Sequence, residues 1–309
     1  MKTHYSLKYF VLLLLLGIIW GSSFILMKIG LRSMAPIELA AWRNAAALLT
    51  SLPFVIPAIR NIEIKDWGYV IIAALFGSGI PAVLYALAST KIDSAMNGVL
   101  NALTPLFTLL FGVYLFKNNS LKNKWLGVFI GFAGAAVLVW SGRNESSNSD
   151  INYISLPIIA AACYGISGNT VKTYLTKYNT FQVTAMLYVF LGIPAFIFII
   201  SQESMKGLDF NYFHFDFWSV YPEAAAQKMA SYTAIFVLGA LGTAVANFGF
   251  YYLIKKTSVL FGAMTTYIIP IVALGWGYLY QEKITGMHFV SILLICIGIW
   301  EVSSTKKVK

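Results

Sequence analysis

The chain has 309 residues, of which 59% are hydrophobic and 11% are charged. Soluble domains average about 45–50% apolar and about 25% charged residues, so this composition excludes an ordinary soluble enzyme core. An aromatic content of 16% excludes a disordered chain, which would be poor in aromatic residues. The net charge of +10 does not indicate nucleic-acid binding, because the basic residues lie between apolar runs, where membrane topology and anionic lipid account for them.

Stretches without Asp, Glu, Lys or Arg predict ten transmembrane helices. A helix needs about 20 mostly apolar residues to cross a bilayer, and a β-barrel would show alternating segments of about ten residues instead. The predicted spans cover residues 9–27, 44–59, 67–90, 94–116, 125–142, 151–171, 178–202, 229–254, 257–281 and 284–300. The run at 44–59 is short, but apolar residues from Pro36 onward extend it. We therefore expect an all-α integral membrane protein.

The basic residues between the spans predict the orientation. The N-terminus, every second loop and the C-terminus together carry 14 Lys and Arg residues, and the remaining loops carry 7. Because positive charge is retained on the cytoplasmic side, we expect both termini in the cytoplasm. Cys163 and Cys296 both lie in apolar runs, so neither a disulfide framework nor a metal site is indicated.

The two halves of the sequence resemble each other. Trp20-Gly21 recurs as Tyr164-Gly165 at an offset of 144, and Thr104-Pro105 recurs as Ile269-Pro270 at an offset of 165. Tyr85 falls opposite Tyr251 at an offset of 166. These matches indicate a duplicated unit.

The duplicated unit contains an odd number of spans, which has a topological consequence. With five spans in each half, the second half enters the membrane from the opposite face, as in transporters built from inverted repeats. We expect a first repeat at 1–142, an outer linker at 143–150 and a second repeat at 151–309, with an outer insertion at about 202–230. The aromatic-rich insertion is consistent with an interfacial segment or with an outer lid.

Several motifs occur in the order found in a known family. They are Trp20-Gly21-Ser22-Ser23-Phe24, Arg43, Asn101-Ala102-Leu103-Thr104-Pro105-Leu106 and the segment from Pro270 to Glu282. With them, the chain resembles an EamA-type transporter of the drug/metabolite transporter superfamily over about residues 10–303. The resemblance implies a ten-helix carrier that exports amino acids or related metabolites and lies in the inner cell membrane. Glu282 occupies the position after the ninth span where the family has an acidic residue. The chain departs from the family pattern at the matching place in the first half, which is occupied by Lys117.

Polar residues inside the spans are the candidates for a substrate site, since polar groups in hydrocarbon usually face protein or a water-filled cavity. They fall in corresponding spans of the two halves, where an inverted-repeat carrier binds its substrate. The predicted substrate-binding residues are Trp20, Ser23, Tyr85, Asn97, Asn101, Tyr164, Asn169, Asn247, Tyr251 and Tyr267. The alternative is structural: an asparagine can bond a neighbouring helix, and the aromatic residues can anchor at the membrane interface.

Four further residues are candidates for hinges or gates. Pro105 and Pro270 each remove a backbone hydrogen bond at matched positions, so they act either as packing kinks or as hinges. Arg43 lies within a span, where it needs carbonyl groups, water or a carboxylate; it either bonds helix ends and lipid or binds an anionic carboxylate. Glu282 is a gate residue or part of a surface charge pair.

The sequence favours a facilitative transporter of small metabolites, working by alternating access around a midplane cavity. No Asp or Glu lies in the middle of a predicted span, whereas a proton-coupled carrier usually has such a carboxylate. Proton-coupled multidrug efflux is the second possibility, and a membrane-embedded enzyme or a receptor is a weaker one. No catalytic constellation, metal site or cofactor motif is evident. We expect a monomer without a cofactor, whose partners are a small-molecule substrate and the lipid bilayer.

Overall fold

A computed structural model describes residues 6–117, eight positions between 126 and 137, residues 151–205, 222–281, 284 and 286–303. Within these ranges the regular structure is helical, and no strand occurs. Eight helices are long and apolar enough to cross a membrane: α1 (Leu7–Gly30), α2 (Pro36–Asn61), α3 (Ile64–Ala88), α4 (Ser94–Tyr114), α5 (Tyr153–Leu175), α6 (Thr180–Gln202), α7 (Ala225–Lys256) and α8 (Val259–Leu279). A further helix, α9 (Gly286–Ser303), follows.

The eight helices coincide with eight of the ten predicted spans, which confirms a helical membrane protein. The span predicted at 125–142 lies largely outside the described residues. The span predicted at 284–300 corresponds to α9, whose apolar part, Gly286–Gly298, is shorter than the other spans. Ten spans therefore remain a prediction. Helical structure covers both ends of the predicted insertion, since one helix continues to Met205 and the next begins at Pro222.

Two of the described helices, α4 and α8, are broken at corresponding places, and α2 also passes through a 3₁₀ turn, Leu52–Phe54. In α4, helix Ser94–Asn101 ends, and helix Thr104–Tyr114 begins after a turn at residues 102–103. In α8, Val259–Ala263 passes through a 3₁₀ turn, Met264–Tyr267, into Ile268–Leu279. Each second segment begins near the predicted proline, Pro105 or Pro270, because proline is tolerated in the first helical turn, where its missing N–H would lack a partner anyway.

The described helices contain three wide π-helical turns, one of which, Val171–Leu175, ends α5. The other two are Leu75–Gly79 in α3 and Ala240–Val245 in α7, and their first residues differ by 165 in number, the same offset as the two prolines. Such turns displace backbone hydrogen bonds and are frequent at functional sites. The irregular backbone of α3, α4, α7 and α8 therefore lies at matched sequence positions.

Glycines allow α1 and α5 to approach the broken helices closely. A methyl group added at Gly21 of α1 would lie 2.5 Å from Cβ of Val272 in α8. A methyl group at Gly165 of α5 would lie 2.8 Å from the carbonyl carbon of Phe107 in α4. Gly165 lies 144 residues after Gly21, and Val272 lies 165 after Phe107. Each half of the chain therefore presses a glycine-containing helix against the broken helix of the other half, as small residues permit in membrane proteins.

Replacing Gly165 with Ala should destabilise the protein, because its methyl group would meet the backbone of α4, which cannot move aside cheaply. Such overpacking typically costs about 1–3 kcal/mol. Gly275→Ala in α8 is the matched control, since nothing lies within 4 Å of a methyl group there and helix propensity alone stabilises by about 1 kcal/mol. Thermal unfolding in detergent measures both. Equal midpoints for the two variants would contradict the close approach.

Candidate substrate cavity

A cavity lies between the two halves of the helical bundle and is lined by residues of seven helices, α1 to α5, α7 and α8. It offers about 80 Å³ to the centres of water-sized molecules, several times the roughly 10–15 Å³ that one water needs. Its wall consists of Trp20, Ser23, Phe24, Met27, Arg43, Gly77, Tyr85, Asn101, Thr104, Thr108, Tyr164, Ser167, Gly168, Gly242, Asn247, Phe250, Tyr251, Val259, Ala263, Thr266 and Ile269. The wall combines aromatic surface with a few hydrogen-bonding groups, as small-molecule sites do.

The structure brings most of the predicted substrate-binding residues together at this cavity. Seven of the ten line it: Trp20, Ser23, Tyr85, Asn101, Tyr164, Asn247 and Tyr251. They come from both halves of the chain, on α1, α3 and α4 and on α5 and α7. Arg43, which the sequence suggested as a gate, also lines the cavity.

The other three predicted residues lie away from the wall. Asn97 is fully buried and donates to the Ser89 hydroxyl at 3.0 Å. Asn169 donates to the carbonyl oxygens of Thr108 and Gly165 at 2.9 and 2.8 Å, and so joins α5 to α4. Tyr267 packs against the apolar cluster around Leu103. Contacts between helices account for these positions, in line with the structural alternative.

The π turn of α7 is held by side chains of other helices, two of which belong to the first half. The Trp20 indole N–H donates to the carbonyl oxygen of Gly242 at 2.9 Å, and Arg43 Nε donates to the hydroxyl of Thr243 at 2.7 Å. Tyr188 of α6 donates to the Thr243 carbonyl oxygen at 3.3 Å and accepts from the Asn247 amide. Side chains from other helices thus satisfy backbone carbonyl groups of this irregular turn, as polar groups inside a membrane require.

The π turn of α3 makes a similar contact with the second half. Ser167 of α5 donates to the carbonyl oxygen of Ala73 at 2.9 Å, and a methyl group at Gly77 would lie 2.4 Å from the Ser167 hydroxyl. In the matching place, a methyl group at Gly242 would lie 3.2 Å from the hydroxyl of Ser23. Each turn therefore places a glycine against a serine of the opposite half, at the cavity wall.

Tyrosines form the apolar side of the cavity and are fixed by polar contacts. The Tyr85 hydroxyl donates to the Asn101 side-chain oxygen at 2.7 Å. Its ring stacks on Tyr164 with 6.1 Å between ring centroids and packs edge-on against Phe24 at 5.4 Å. Asn101 lies at the break in α4, where Thr104 donates to its backbone carbonyl oxygen at 2.8 Å. The broken helix and the aromatic wall are therefore linked through one asparagine.

Sequence reasoning missed several residues of the wall, notably Gly77, Thr108 and Gly242. Gly77 and Gly242 carry no polar side chain, so a search for polar residues overlooks them, although their spacing of 165 residues matches that of the two prolines. The repeat offset is thus the sequence signal that could have found them.

The predicted gate residues have different surroundings. Pro105 and Pro270 are buried just after the two helix breaks. Glu282 lies outside the described residues. Just before it, Gln281 has a positive φ of 59°, and Lys117 after α4 has a φ of 53°. A positive φ is uncommon for residues other than glycine. These two residues lie at corresponding places, just after the ends of the two broken helices.

Lysines at the ends of α1 and α5 bind the segments that precede the broken helices. Lys28 forms an ion pair with Asp93, the residue before α4, at 3.4 Å. Lys172 donates to the carbonyl oxygens of Ile254 and Thr257, just before α8, at 2.8 and 3.1 Å. Both side chains therefore bind protein at the ends of their helices, rather than only reaching toward lipid headgroups.

A cluster of polar and charged residues joins the start of α3 and the residue before it to the loop after α5. We call this group, Glu63, Lys65, Asp66, Lys177 and Tyr178, the ionic clasp. Asp66 accepts from Tyr178 at 2.5 Å and pairs with Lys177 at 2.7 Å, and Lys177 also lies 3.5 Å from Glu63, which pairs with Lys65. The hydrogen bond with Lys65 lowers the pKa of Glu63, and the hydrogen bond with Asp66 raises the pKa of Lys177. Both shifts favour the charged forms, so Glu63 and Lys177 stay charged at neutral pH.

Several membrane-length helices around a central cavity with aromatic and polar walls form the architecture of a membrane transporter. The chain belongs to the EamA-like transporter family, whose family model matches residues 7–140 and again residues 151–304. This finding confirms the resemblance seen in the sequence.

Individual relatives agree with this family assignment. An uncharacterized transporter of Archaeoglobus fulgidus is 26% identical over 95% of this chain and 98% of its own length. The uncharacterized inner membrane transporter YedA of Escherichia coli is 25% identical over 97% of this chain and 92% of its own length. A probable amino-acid metabolite efflux pump of Escherichia coli is 21% identical over 94% of this chain and 93% of its own length. One crystal structure at 15% identity superposes with a TM-score of 0.58 over 96% of this chain and 97% of that chain, which shows a shared fold.

Replacing Glu63 with Gln should lower the thermal midpoint at pH 7 but not at low pH. The folded-state pKa of Glu63 is lowered, so its stabilising effect is complete above the unfolded pKa of about 4.3 and is lost as the pH falls through the lowered folded pKa. Unfolding scans of both proteins in detergent between pH 3 and about 8 measure the gap in midpoint. A gap that does not depend on pH would contradict the ionic role of Glu63.

Proposed function

We propose that the protein is a facilitative carrier that exports small metabolites of the amino-acid type from the cell. The observation that carries this proposal is the cavity itself: residues of both halves line it, and irregular backbone at matched positions of α3, α4, α7 and α8 surrounds it. Binding sites at discontinuous helices between repeated halves are typical of secondary transporters.

The proposed architecture is ten transmembrane helices in two inverted five-helix repeats. Three findings support it: the family model matches the chain twice, the π turns and helix breaks recur at nearly constant offsets, and the contacts of Gly21 with Val272 and of Gly165 with Phe107 are reciprocal. Two similar halves can exchange conformations, and one half rocking against the other would open the cavity to either side. Both termini are then cytoplasmic, as the distribution of basic residues predicts.

In this orientation the ionic clasp and Lys172 lie at the cytoplasmic end of the cavity, and the pair of Lys28 and Asp93 lies at the outer end. Cytoplasmic opening requires the loops joined by the clasp to separate, and outward opening requires Lys28 to release Asp93. These two sets of polar contacts are the gates in the proposed cycle. They open alternately while Pro105 and Pro270, next to the helix breaks, accommodate the bending.

The charge of the cavity favours this function over proton-coupled efflux of lipophilic cations. A carrier of cations would gain from a carboxylate in its site, whereas the described lining residues include a cation, Arg43, and no acidic side chain. An amino-acid-type substrate also agrees with the probable amino-acid metabolite efflux pumps of Escherichia coli and Salmonella typhimurium, each 21% identical to this chain. We propose a transporter rather than an enzyme, and a monomer, since one chain supplies the whole described cavity wall.

Purified protein in proteoliposomes should catalyse saturable uptake of labelled amino acids without an imposed pH gradient. Asn101→Ala should reduce this uptake at least tenfold, because it removes the acceptor of the Tyr85 hydroxyl and a polar group of the cavity wall. Asn97→Ala is the matched variant: this asparagine lies in the same helix and is equally buried, but lies off the cavity. It should retain most of the uptake per folded molecule.

Two results would contradict the proposal. Uptake that appears only with a proton gradient would exclude the facilitative mechanism. No uptake of any amino acid under either condition would exclude the amino-acid-type substrate, while the family membership would stand.

A further inference from the structure

The cavity contains a buried cation that has a neutral partner. The Arg43 side chain lies on α2, the residue is 7% exposed, and it lines the cavity. Its Nε donates to the Thr243 hydroxyl at 2.7 Å, and that hydroxyl donates its own proton to the carbonyl oxygen of Leu238 at 2.9 Å. Thr243 is thus an acceptor without a charge.

The described carboxylates that form ion pairs do so away from Arg43. Asp93 pairs with Lys28, and Glu63 and Asp66 pair within the ionic clasp. Among the described residues, none forms an ion pair with Arg43. A guanidinium in a low-dielectric site is costly unless an anion pairs with it. The arrangement therefore leaves the charge of Arg43 available to a ligand that enters the cavity.

The shape of a guanidinium defines what kind of anion would fit. Arg has five N–H donors in a planar fork that matches the two oxygens of a carboxylate. Thr243 occupies one of these donors through Nε. The remaining four belong to the two terminal nitrogens, which are the atoms that bind a carboxylate side by side. Tyr164 lines the same cavity, and its hydroxyl can add a hydrogen bond to a bound carboxylate.

The rest of the wall defines the remainder of the ligand. The aromatic rings of Trp20, Phe24, Tyr85 and Phe250 line the same cavity. The cavity volume of about 80 Å³ restricts the ligand to a small molecule unless the cavity widens. Asn101 and Thr104 supply uncharged acceptors. A compact molecule with a carboxylate at one end and an apolar body fits this distribution.

We propose that Arg43 is the anchoring residue of a carboxylate subsite in the cavity, so that the protein selects small carboxylate-bearing solutes. This inference rests on the proposed function, which it deepens by naming the group that is recognised. Arg43 also bonds Thr243 in the π turn of α7. The guanidinium that holds the carboxylate would therefore also link the two halves of the chain.

Binding and transport of matched acids and amides test the subsite. The probes are phenylalanine and leucine, each compared with its carboxamide, which keeps the amino group and side chain but lacks the negative charge. Binding to the purified protein is measured by calorimetry and by tryptophan fluorescence. The Trp20→Phe variant is the reference that shows which part of the fluorescence change comes from Trp20. Wild-type protein should bind at least one of the two acids at least tenfold more tightly than its amide.

Substitutions of Arg43 separate recognition from folding. Arg43→Gln should remove the preference for the acid, and Arg43→Lys, which keeps the charge but loses the planar fork, should leave a reduced preference. If Arg43→Gln does not fold, Arg43→Lys and the comparison of acid with amide in the wild-type protein still decide.

The outcomes distinguish this proposal from the proposed function. Transport of acid and amide at equal rates would overturn the carboxylate subsite and leave the carrier function standing. Preferential binding of the acid that depends on Arg43, without any transport in proteoliposomes, would support the subsite and contradict the carrier function. Binding of neither acid would overturn the subsite.

Discussion

The close contact of two glycine-containing helices with two broken helices determines how the rest of the bundle is arranged. Gly21 brings α1 against Val272 of α8, and Gly165 brings α5 against Phe107 of α4. Side chains at these two points would force the helices apart. Because each contact joins one half of the chain to the other, the halves are interlocked, and all four of these helices contribute residues to the cavity wall.

The interlocking explains why so much irregular backbone is tolerated inside a membrane. A break or a π turn displaces carbonyl groups that lipid cannot satisfy. Here Trp20 and Tyr188 donate to carbonyl oxygens of the π turn in α7, and Ser167 donates to a carbonyl oxygen next to the π turn in α3. The same side chains that satisfy the backbone lie in or beside the cavity wall. Binding a solute and changing the shape of these turns are therefore physically linked in the proposed transport cycle.

The sequence predicted the helical membrane fold and the residues that carry the repeat. Both the length of an apolar run and a constant spacing between matching residues of the two halves can be read directly from the order of the amino acids. The sequence also brought Tyr85, Asn101 and Tyr251 onto one list, and they meet at the cavity. It could not separate Asn97 from Asn101, since the two lie one helical turn apart on the same face of one helix, and only the structure shows that the cavity reaches Asn101 and not Asn97. The contact of Arg43 with Thr243 spans 200 positions and depends on a π turn that no local pattern reveals.

The central claim is that one cavity is reached alternately from the two sides of the membrane. The most direct measurement uses a single cysteine at Thr266, which lines the cavity, with Cys163 and Cys296 replaced by alanine. A small membrane-impermeant thiol reagent is applied to right-side-out and to inside-out vesicles. Alternating access predicts labelling from both sides, with the two rates changing in opposite directions when a substrate gradient is reversed. Labelling from one side only, in every condition, would contradict alternating access.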